Sequence, residues 1–249
     1  RGAYNTANGN WTLNDNNTGS YNTALGSGAL RYNTSGWNNT ATGSFSLSSN
    51  TLGQYNTALG SYALYSNKAN ARSTAIGFSA MYYADDRTSG RNTYNTAIGY
   101  ESMHGSTTAS DNTGQYNTAA GDQSLYSITS GNNNIANGYQ ALYSNTTGNY
   151  SIAIGNKALH SQTGNASDND LNNIAIGYEA LYTNDPTNSN DGRYNVAIGH
   201  QALKANTVGI DNISIGNQAL TSNTIGHYSI AIGSKALYSQ TSYTGATSM

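Results

Sequence analysis

Two stretches, YNTALGSGALRYNTSGW at residues 21–37 and YNTALGSYALYSNKANA at residues 55–71, carry nearly the same pattern, and residues 38–54 form a degenerate copy between them. A glycine closes each T-A-x-G motif, and thirteen such anchor glycines recur at spacings of 17 or 22 residues. The anchors are Gly9, Gly26, Gly43, Gly60, Gly77, Gly99, Gly121, Gly138, Gly155, Gly177, Gly199, Gly216 and Gly233. Because self-similarity at a fixed period identifies repeat architectures, we predict one repeat domain of stacked units over residues 1–249.

Each unit carries the same residue types at fixed positions, which we number from its anchor glycine. Leu or Met stands at position +4 in every unit, a small residue at +3, and Ala at −2 in twelve units. Position −3 is Thr in the first seven units and Ile or Val in the last six. A unit of 17 residues is too short for a helix pair, whereas T-A-I and the N-T-x-G turn signal favour a short strand. The predicted fold is therefore all-β, a parallel β-solenoid of about thirteen coils, with a second short segment near A-L.

Stacking predicts columns of equivalent residues along the solenoid. Neighbouring coils lie about 4.8 Å apart, so thirteen coils would form a column roughly 60 Å long. Asn occupies position −4 in ten units, which predicts a ladder of amide hydrogen bonds. Tyr occupies position −5 in eight units and position +5 in six. We expect these rings on the outside, as stacked aromatic rows.

Composition excludes several classes of protein. Charged residues make up 9% of the chain and the net charge is −2, so the basic face that nucleic-acid binding requires is missing. The absence of cysteine excludes disulfides and thiolate metal sites. No apolar run approaches the roughly 20 residues that a membrane helix needs. The chain begins with Arg1, which we interpret as the start of a fragment or of a processed product.

The alternation of side chains along T-A-I predicts a partner for the chain. Positions −3 and −1 face one way and Ala faces the other, and both faces are apolar in most units. The A-L segment can cover one face only, so we predict that a second copy of the chain covers the other; the alternative is a thin monomeric solenoid. Asn8, Thr42 and Asn137 interrupt position −1. In an oligomer they would specify register or hold water or an ion, although turn-facing substitutions are the favoured interpretation.

Two segments resemble a known family. SIAIGNKALHS (residues 151–161) and SIAIGSKALYS (residues 229–239) resemble the S-x-A-I-G-x-x-A repeats in the heads of trimeric autotransporter adhesins. That resemblance implies a left-handed parallel β-roll, three chains wound about one axis, and attachment to host or matrix surfaces. The N-T-A-I-G-x-x-A-L pattern is also similar to repeats of bacterial and phage tail-fibre-like proteins. This chain departs from the adhesin pattern in its longer units, so the extra residues must form longer turns.

Four units carry five extra residues between A-L and the next strand, in loops A (82–93), B (104–115), C (160–172) and D (182–193). Insertions in solenoids emerge on one face, which is often the binding face. The candidate contact residues for a surface glycan or protein receptor are Asp85, Asp86, Arg87, Asp111, Asp168, Asp170, Asp185, Asp191 and Arg193. Solvated turns are the alternative interpretation.

Residue types in the chain offer ligands for two further kinds of binding site, one for Ca²⁺ and one for carbohydrate. The pairs Asp168 and Asp170, or Asp185 and Asp191, offer oxygen ligands for Ca²⁺, but no loop has the spacing of a calcium loop, which favours solvated turns. Tyr rings offer apolar faces for carbohydrate, but their regularity favours a structural ladder.

Catalysis is not predicted. The four histidines, His104, His160, His200 and His227, occupy three different positions of the repeat, and no nucleophile elbow, P-loop or zinc-protease motif occurs. A general acid and base must reach one substrate, and the sequence pattern provides no such pair.

Ice binding is the least favoured class. The Thr column at position −3 turns into Ile halfway along, which we interpret as interior. The second Thr column is interrupted by the inserted loops, and its members include Thr34, Thr51, Thr146, Thr207 and Thr224.

The sequence thus predicts a structural or adhesive segment of an extracellular fibre, either an adhesin head or a tail-fibre-like shaft, at the cell surface or on a virion tail. The alternative is a self-assembling filament subunit, which motif-like sequence at both ends favours.

Overall fold

A computed structural model describes residues 2–163, 169–185 and 191–241, together with the backbone of residues 247 and 248. The chain folds as two compact units, unit 1 (Arg1–Gln123) and unit 2 (Ser124–Met249). The regular elements of the described residues are β-strands and one 3-10 turn at Ala109–Asp111. A transmembrane helix is absent from the described ranges.

Unit 1 contains seven short strands, one for each coil. The strands are β1 (Thr6–Asn8), β2 (Thr23–Leu25), β3 (Thr40–Thr42), β4 (Thr57–Leu59), β5 (Thr74–Ile76), β6 (Thr96–Ile98) and β7 (Thr118–Ala120). Each strand pairs in parallel with the next in the chain, and Ala aligns with Ala at every step. The register is the same across 17-residue and 22-residue units, so the extra residues of loops A and B do not shift it.

Unit 2 repeats this arrangement. Its strands are β8 (Ile135–Asn137), β9 (Ile152–Ile154), β10 (Ile174–Ile176), β11 (Val196–Ile198), β12 (Ile213–Ile215), β13 (Ile230–Ile232) and β14 (Thr247–Ser248). These strands also pair in parallel and in chain order. The predicted parallel β-solenoid is therefore confirmed in both units. The second short segment, near A-L, forms turns.

The interior of each coil is narrow and lined by small residues. Ala at position −2, the small residue at +3, and Leu or Met at +4 are buried in the inner coils of both units. Leu30 and Leu47 in unit 1 and Leu142 and Leu159 in unit 2 are fully buried. Removing a Leu side chain from such a site costs about 2–5 kcal/mol, so this column stabilises the stack even though the chain contains little bulky apolar material.

Two asparagine columns fill the remainder of the interior, and both form ladders between coils. In the −4 column, Asn39 Oδ1 accepts a hydrogen bond from the backbone N–H of Asn56 at 3.0 Å. In the +7 column, Asn50 Nδ2 donates to Asn33 Oδ1 at 2.8 Å. The two columns meet in coils where both positions are Asn: Asn39 and Asn50 both donate to the Gly53 carbonyl, at 2.8 and 3.1 Å. Buried amides are tolerated because they have hydrogen-bond partners, and the predicted amide ladder is confirmed.

The corners of each coil require left-handed backbone. Positions −5, +2 and +4 have positive φ in every unit, between 48° and 63° where the residue is not glycine. The anchor glycines have φ between 123° and 137°. A Cβ on Gly43 would lie 2.6 Å from the Gly60 carbonyl carbon, so the close approach of successive anchors also requires glycine. Left-handed conformation costs an ordinary residue about 1–2 kcal/mol, which only the surrounding stack can offset.

Candidate functional sites

The first candidate site is the outer sheet face, formed by positions −3 and −1 of each strand. Ala at −2 points into the coil, so its two neighbours point outward. In unit 1 the −3 row consists of seven threonines, and the −1 row holds Asn8, Leu25, Thr42, Leu59, Ile76, Ile98 and Ala120. Leu25, Leu59 and Ile98 are 44–47% exposed. This face combines hydroxyl groups and apolar groups and carries no charge.

The outer face of unit 2 is almost wholly aliphatic. Eleven of the twelve −3 and −1 positions in β8 to β13 are Ile or Val, and Asn137 is the exception. Ile135, Ile154 and Ile232 are 40–45% exposed, and the other aliphatic members of the face are exposed or half-exposed. No residue of the same chain covers this face within the described residues. The prediction that the A-L segment covers only one side of the strand is therefore confirmed.

The interior placement predicted for the −3 threonine column is wrong. Thr23, Thr40 and Thr118 are exposed, and Ile135, the first isoleucine of the same column, is 43% exposed. The change from Thr to Ile therefore takes place on the outer face. The second threonine column is half-buried, and its hydroxyls bond to the next coil: Thr34 Oγ1 donates to the Thr51 carbonyl at 3.0 Å.

Loop A is organised around a buried carboxylate. The side chain of Asp85 is 1% exposed. It accepts hydrogen bonds from Arg87 Nε and Nη2 at 2.9 and 2.7 Å and from Arg91 Nη2 at 2.7 Å. Asp86 lies 3.6 Å from Lys68 Nζ and is exposed. The structure thus brings Asp85 and Arg87 together, as elements of the loop's own framework.

Loop B packs beside loop A in unit 1. Asn112 Nδ2 donates to the Ser106 carbonyl at 2.9 Å and also to the Tyr83 carbonyl, so this amide ties the two loops together. Arg91 Nη2 lies 3.4 Å from the Asn112 carbonyl. Asp111 lies in the 3-10 turn and is exposed. Among the candidate residues of these loops, Asp86, Arg87 and Asp111 face solvent.

In unit 2 the candidate residues of loops C and D bind neighbouring coils. Asp170 Oδ1 accepts a hydrogen bond from Asn149 Nδ2 at 2.9 Å, and Asp185 Oδ1 accepts one from Thr163 Oγ1 at 2.8 Å. The Arg193 guanidinium lies 5.1 Å from the centroid of the Tyr194 ring. Asp191 is half-buried, and Asp168 lies outside the described residues.

Metal binding by these loops is not supported by the geometry. Within the described residues, no three side chains of the types His, Cys, Asp or Glu lie close enough together to hold a metal ion. Asp85 is already neutralised by arginine, and the Asp168–Asp170 pair is only half described. The interpretation of these loops as solvated turns without bound Ca²⁺ stays a prediction.

The aromatic columns form stacked rows on the outside, as predicted. In unit 2, Tyr143 stacks between Tyr126 and His160 at centroid distances of 5.1 and 5.2 Å. In unit 1, the Arg72 guanidinium lies 5.3 Å from the Tyr55 ring centroid and 5.6 Å from that of Tyr94. A ring stacked on both faces has only its edge left for a ligand, whereas sugars pack on a free ring face. The stacking therefore favours a structural role for these rows.

The ionisable groups of unit 2 serve the stack. Burial raises the pKa of Glu179, but hydrogen bonds from Lys204, Gln201 and Tyr178 outweigh it and bring the pKa down to about 2. Lys204 Nζ lies 2.6 Å from Glu179 Oε2. Burial lowers the pKa of His160, which stacks between two tyrosines. None of these contacts forms an acid–base pair facing an open cleft, and the absence of enzymatic activity stays a prediction.

Two features of the structure were not predicted from the sequence. Arg91 was not among the candidate residues, although its place in the same loop as Asp85 signals charge pairing. The second feature is a pairing of Ser at −4 with Gln at +7. Gln162 Nε2 donates to Ser151 Oγ at 3.0 Å, and Gln240 Nε2 donates to Ser229 Oγ at 3.1 Å. The shorter serine is matched by the longer glutamine, and their fixed separation of 11 residues is visible in the sequence.

Searches with this chain found no matching family model, no matching curated protein and no matching solved structure. The outer face and the loops therefore carry the functional proposal.

Proposed function

We propose that the chain is a structural and adhesive segment of an extracellular fibre. Copies of the chain pack against one another through the outer face of unit 2, and loops A to D are presented to a surface glycan or a protein receptor at the cell surface or on a virion tail. The observation that carries the proposal is the uncharged aliphatic face of unit 2.

The size of that face supports association. Covering eleven exposed or half-exposed aliphatic side chains removes several hundred Å² from water, and each partner contributes about 800 Å² to a stable interface. Monomeric proteins rarely leave contiguous apolar patches above a few hundred Å² exposed. A partner that removes this surface from water therefore stabilises the chain.

A second copy of the chain is the partner that best fits this surface. The aliphatic side chains of this face form a regular array, with one spacing along each strand and another between strands. The same face of a second chain has both spacings and therefore matches it. Asn137 is the single polar residue among its twelve positions. A buried amide opposite Ile would lose its hydrogen bonds at a cost of about 1–3 kcal/mol, whereas in an assembly with equivalent strands opposite each other Asn137 meets Asn137. The resemblance to autotransporter heads favours three chains.

Light scattering with a calibrated mass tests the proposal. We expect three times the chain mass of 26.1 kDa, independent of concentration over the measured range. A species that grows with concentration would instead support the filament alternative. A monomer that stays monomeric at high concentration would contradict both assemblies.

A second candidate function is ice binding by the outer face of unit 1, because its seven threonines lie outside in one parallel register. Regular rows of hydroxyl and methyl groups, about 4.8 Å apart, can order water. Thermal hysteresis of the purified chain tests this function, with Thr40→Lys as the disrupted variant and Thr146→Lys, on the half-buried column, as the control. If self-association of the chain covers the outer face of unit 1, the purified protein will show no thermal hysteresis.

A further inference from the structure

A groove lies between loop A and the adjoining turns of unit 1, with a volume of about 340 Å³. This volume falls within the range of sites for small molecules. The side chains that line the groove are those of Leu52, Gln54, Ala69, Ala71, Arg91 and Asn92. The groove therefore combines an apolar wall, two amides and one guanidinium.

The groove has an excess of positive charge. Asp85 is a single carboxylate bound by two guanidiniums, those of Arg87 and Arg91, both at 2.7 Å. The nearby pair of Lys68 and Asp86 is neutral as a whole. One positive charge remains uncompensated, and of the two guanidiniums Arg91 lines the groove with 24% of its side chain exposed. Arg91 Nη2 already donates to Asp85, but Nη1 makes no hydrogen bond within the described residues. A planar guanidinium with a free donor is the group best suited to bind a carboxylate.

The backbone holds Arg91 in place without a ligand. Its carbonyl accepts a hydrogen bond from the Ala71 N–H at 2.9 Å, and its N–H lies 3.3 Å from Asn70 Oδ1. A Cβ on Gly90 would lie 2.1 Å from the Ala69 carbonyl oxygen, so loop A lies directly against the coil at this point. A preformed site loses less conformational entropy when it binds a ligand.

The remaining walls indicate what the rest of the ligand resembles. The side chains of Gln54 and Asn92 have no hydrogen-bond partner within the described part of the chain, and each amide offers both donors and an acceptor. Leu52 is 44% exposed beside the buried Ala69, and these two residues provide an apolar surface. Hydroxyl groups on one edge, an apolar ring face and a carboxylate are the features of a uronic acid sugar.

We propose that this groove binds a carboxylated sugar residue of an acidic glycan. The carboxylate binds the Arg91 guanidinium, the hydroxyls bond to Gln54 and Asn92, and the pyranose ring packs against Leu52. This assignment deepens the display role proposed for the loops and rests on it, but it does not require self-association through the outer face. An acidic peptide would share the carboxylate and would leave the two amides without matching hydroxyls.

Titration of the full chain with methyl β-glucuronide, followed by NMR or calorimetry, tests the groove. We expect saturable binding at one site per chain, with methyl β-glucoside binding about tenfold more weakly because it lacks the charge. Equal binding of the two sugars, or no binding of the glucuronide, would overturn the proposal. So would tighter binding of the capped acidic tripeptide Gly-Asp-Gly.

Variants locate the site and separate it from assembly. Arg91→Gln should weaken glucuronide binding about tenfold, whereas Arg87→Gln, which removes the excess positive charge but leaves the Arg91 guanidinium in the groove, should weaken it less. Leu52→Asp places a carboxylate in the apolar wall of the groove. It should abolish glucuronide binding by charge repulsion while the contacts of Asp85 stay unchanged. The mass of each variant, measured by light scattering, should equal that of the unaltered chain. If Arg87→Gln weakened binding as much as Arg91→Gln, or Leu52→Asp left it intact, the assignment would be wrong.

Discussion

Units 1 and 2 have interiors of the same composition and differ in their outer faces. Ala at −2, Leu or Met at +4 and the asparagine ladders recur in both, because each of these residues contacts its equivalent in the next coil. The outer positions also lie beside their equivalents in the next coil, but no packed interior surrounds them, so stacking leaves them free to vary. Unit 1 carries threonines there and unit 2 carries isoleucines. The comparison indicates that the fold determines the interior and places fewer constraints on the outer rows.

The inserted loops differ between the units as well. In unit 1, loops A and B share a hydrogen-bonded cluster around Asp85 and Asn112. In unit 2, Asp170 bonds to Asn149 of the neighbouring coil, and Asp185 of loop D bonds to Thr163 of loop C. The same five-residue insertion therefore holds a buried carboxylate with two arginines in one unit and single aspartate hydrogen bonds in the other.

The largest expected effect concerns the outer faces. We expect the double substitution Ile152→Asp and Ile174→Asp to reduce association by about a thousandfold, because two aliphatic side chains at about 2 kcal/mol each are lost from the interface. The matched control in unit 1 is Thr57→Asp with Thr74→Asp, at the same positions of adjacent coils. Light scattering should give the monomer mass for the first variant only. Dissociation of the control, or an unchanged mass for the isoleucine variant, would contradict the division of roles.

The next largest effect should be equal in the two units. Leu47→Ala and Leu142→Ala each open a cavity at a fully buried site, and each should lower the free energy of unfolding by about 2–5 kcal/mol. Denaturant unfolding, followed by circular dichroism, measures both. If one variant were as stable as the unaltered chain, the two interiors would not be equivalent.

A smaller effect tests the Ser–Gln pairs of unit 2 against the Asn–Asn pairs of unit 1. Gln162→Asn alone leaves Ser151 without its partner and should cost about 1–3 kcal/mol. Adding Ser151→Asn recreates the arrangement of Asn39 and Asn50, whose amides donate to one shared carbonyl, and should recover most of that loss. A double-mutant cycle on thermal stability measures the coupling, expected at about 0.5–3 kcal/mol. Additive effects would show that the two residues act independently.

The smallest effect is a dependence on pH. The pKa of Glu179 is about 2 in the folded chain and 4.5 in its ordinary state. The unfolded chain therefore binds the proton first, so the stabilisation is complete above pH 4.5 and is lost as the pH falls towards 2. Glu179→Gln should flatten the fall in melting temperature over this window. An identical acid profile for the variant would mean that the contact with Lys204 contributes nothing.

Repetition made the interior predictable from the sequence. A position that holds the same residue type in all thirteen units, such as Leu or Met at +4, must contact the equivalent position of the next unit. The parallel register and the amide ladder could therefore be predicted directly. Alternation along T-A-I separated the two faces of each strand. The change from Thr to Ile at position −3 was wrongly assigned to the interior. A column of residues can become apolar either in a core or on an outer face that a partner covers, and the sequence pattern is the same in both cases.

Other features depend on contacts that no single unit contains. Tyr21 and Leu30 adopt left-handed backbone, although neither residue type favours it, because the stacked coils impose the corner. The groove beside Arg91 joins residues from turns that are up to 40 positions apart in the chain. Such a site becomes visible only when the coils are stacked in register.

The two repeat lengths have a consequence for how such proteins diversify. β4 pairs with β5 across 17 residues and β5 pairs with β6 across 22, in one unbroken register. The junction after the Leu or Met of each coil thus accepts added sequence at little structural cost. A single insertion in the gene could give the molecule a new recognition loop, and a foreign peptide grafted after Leu47 should be displayed while the rest of the solenoid folds unchanged.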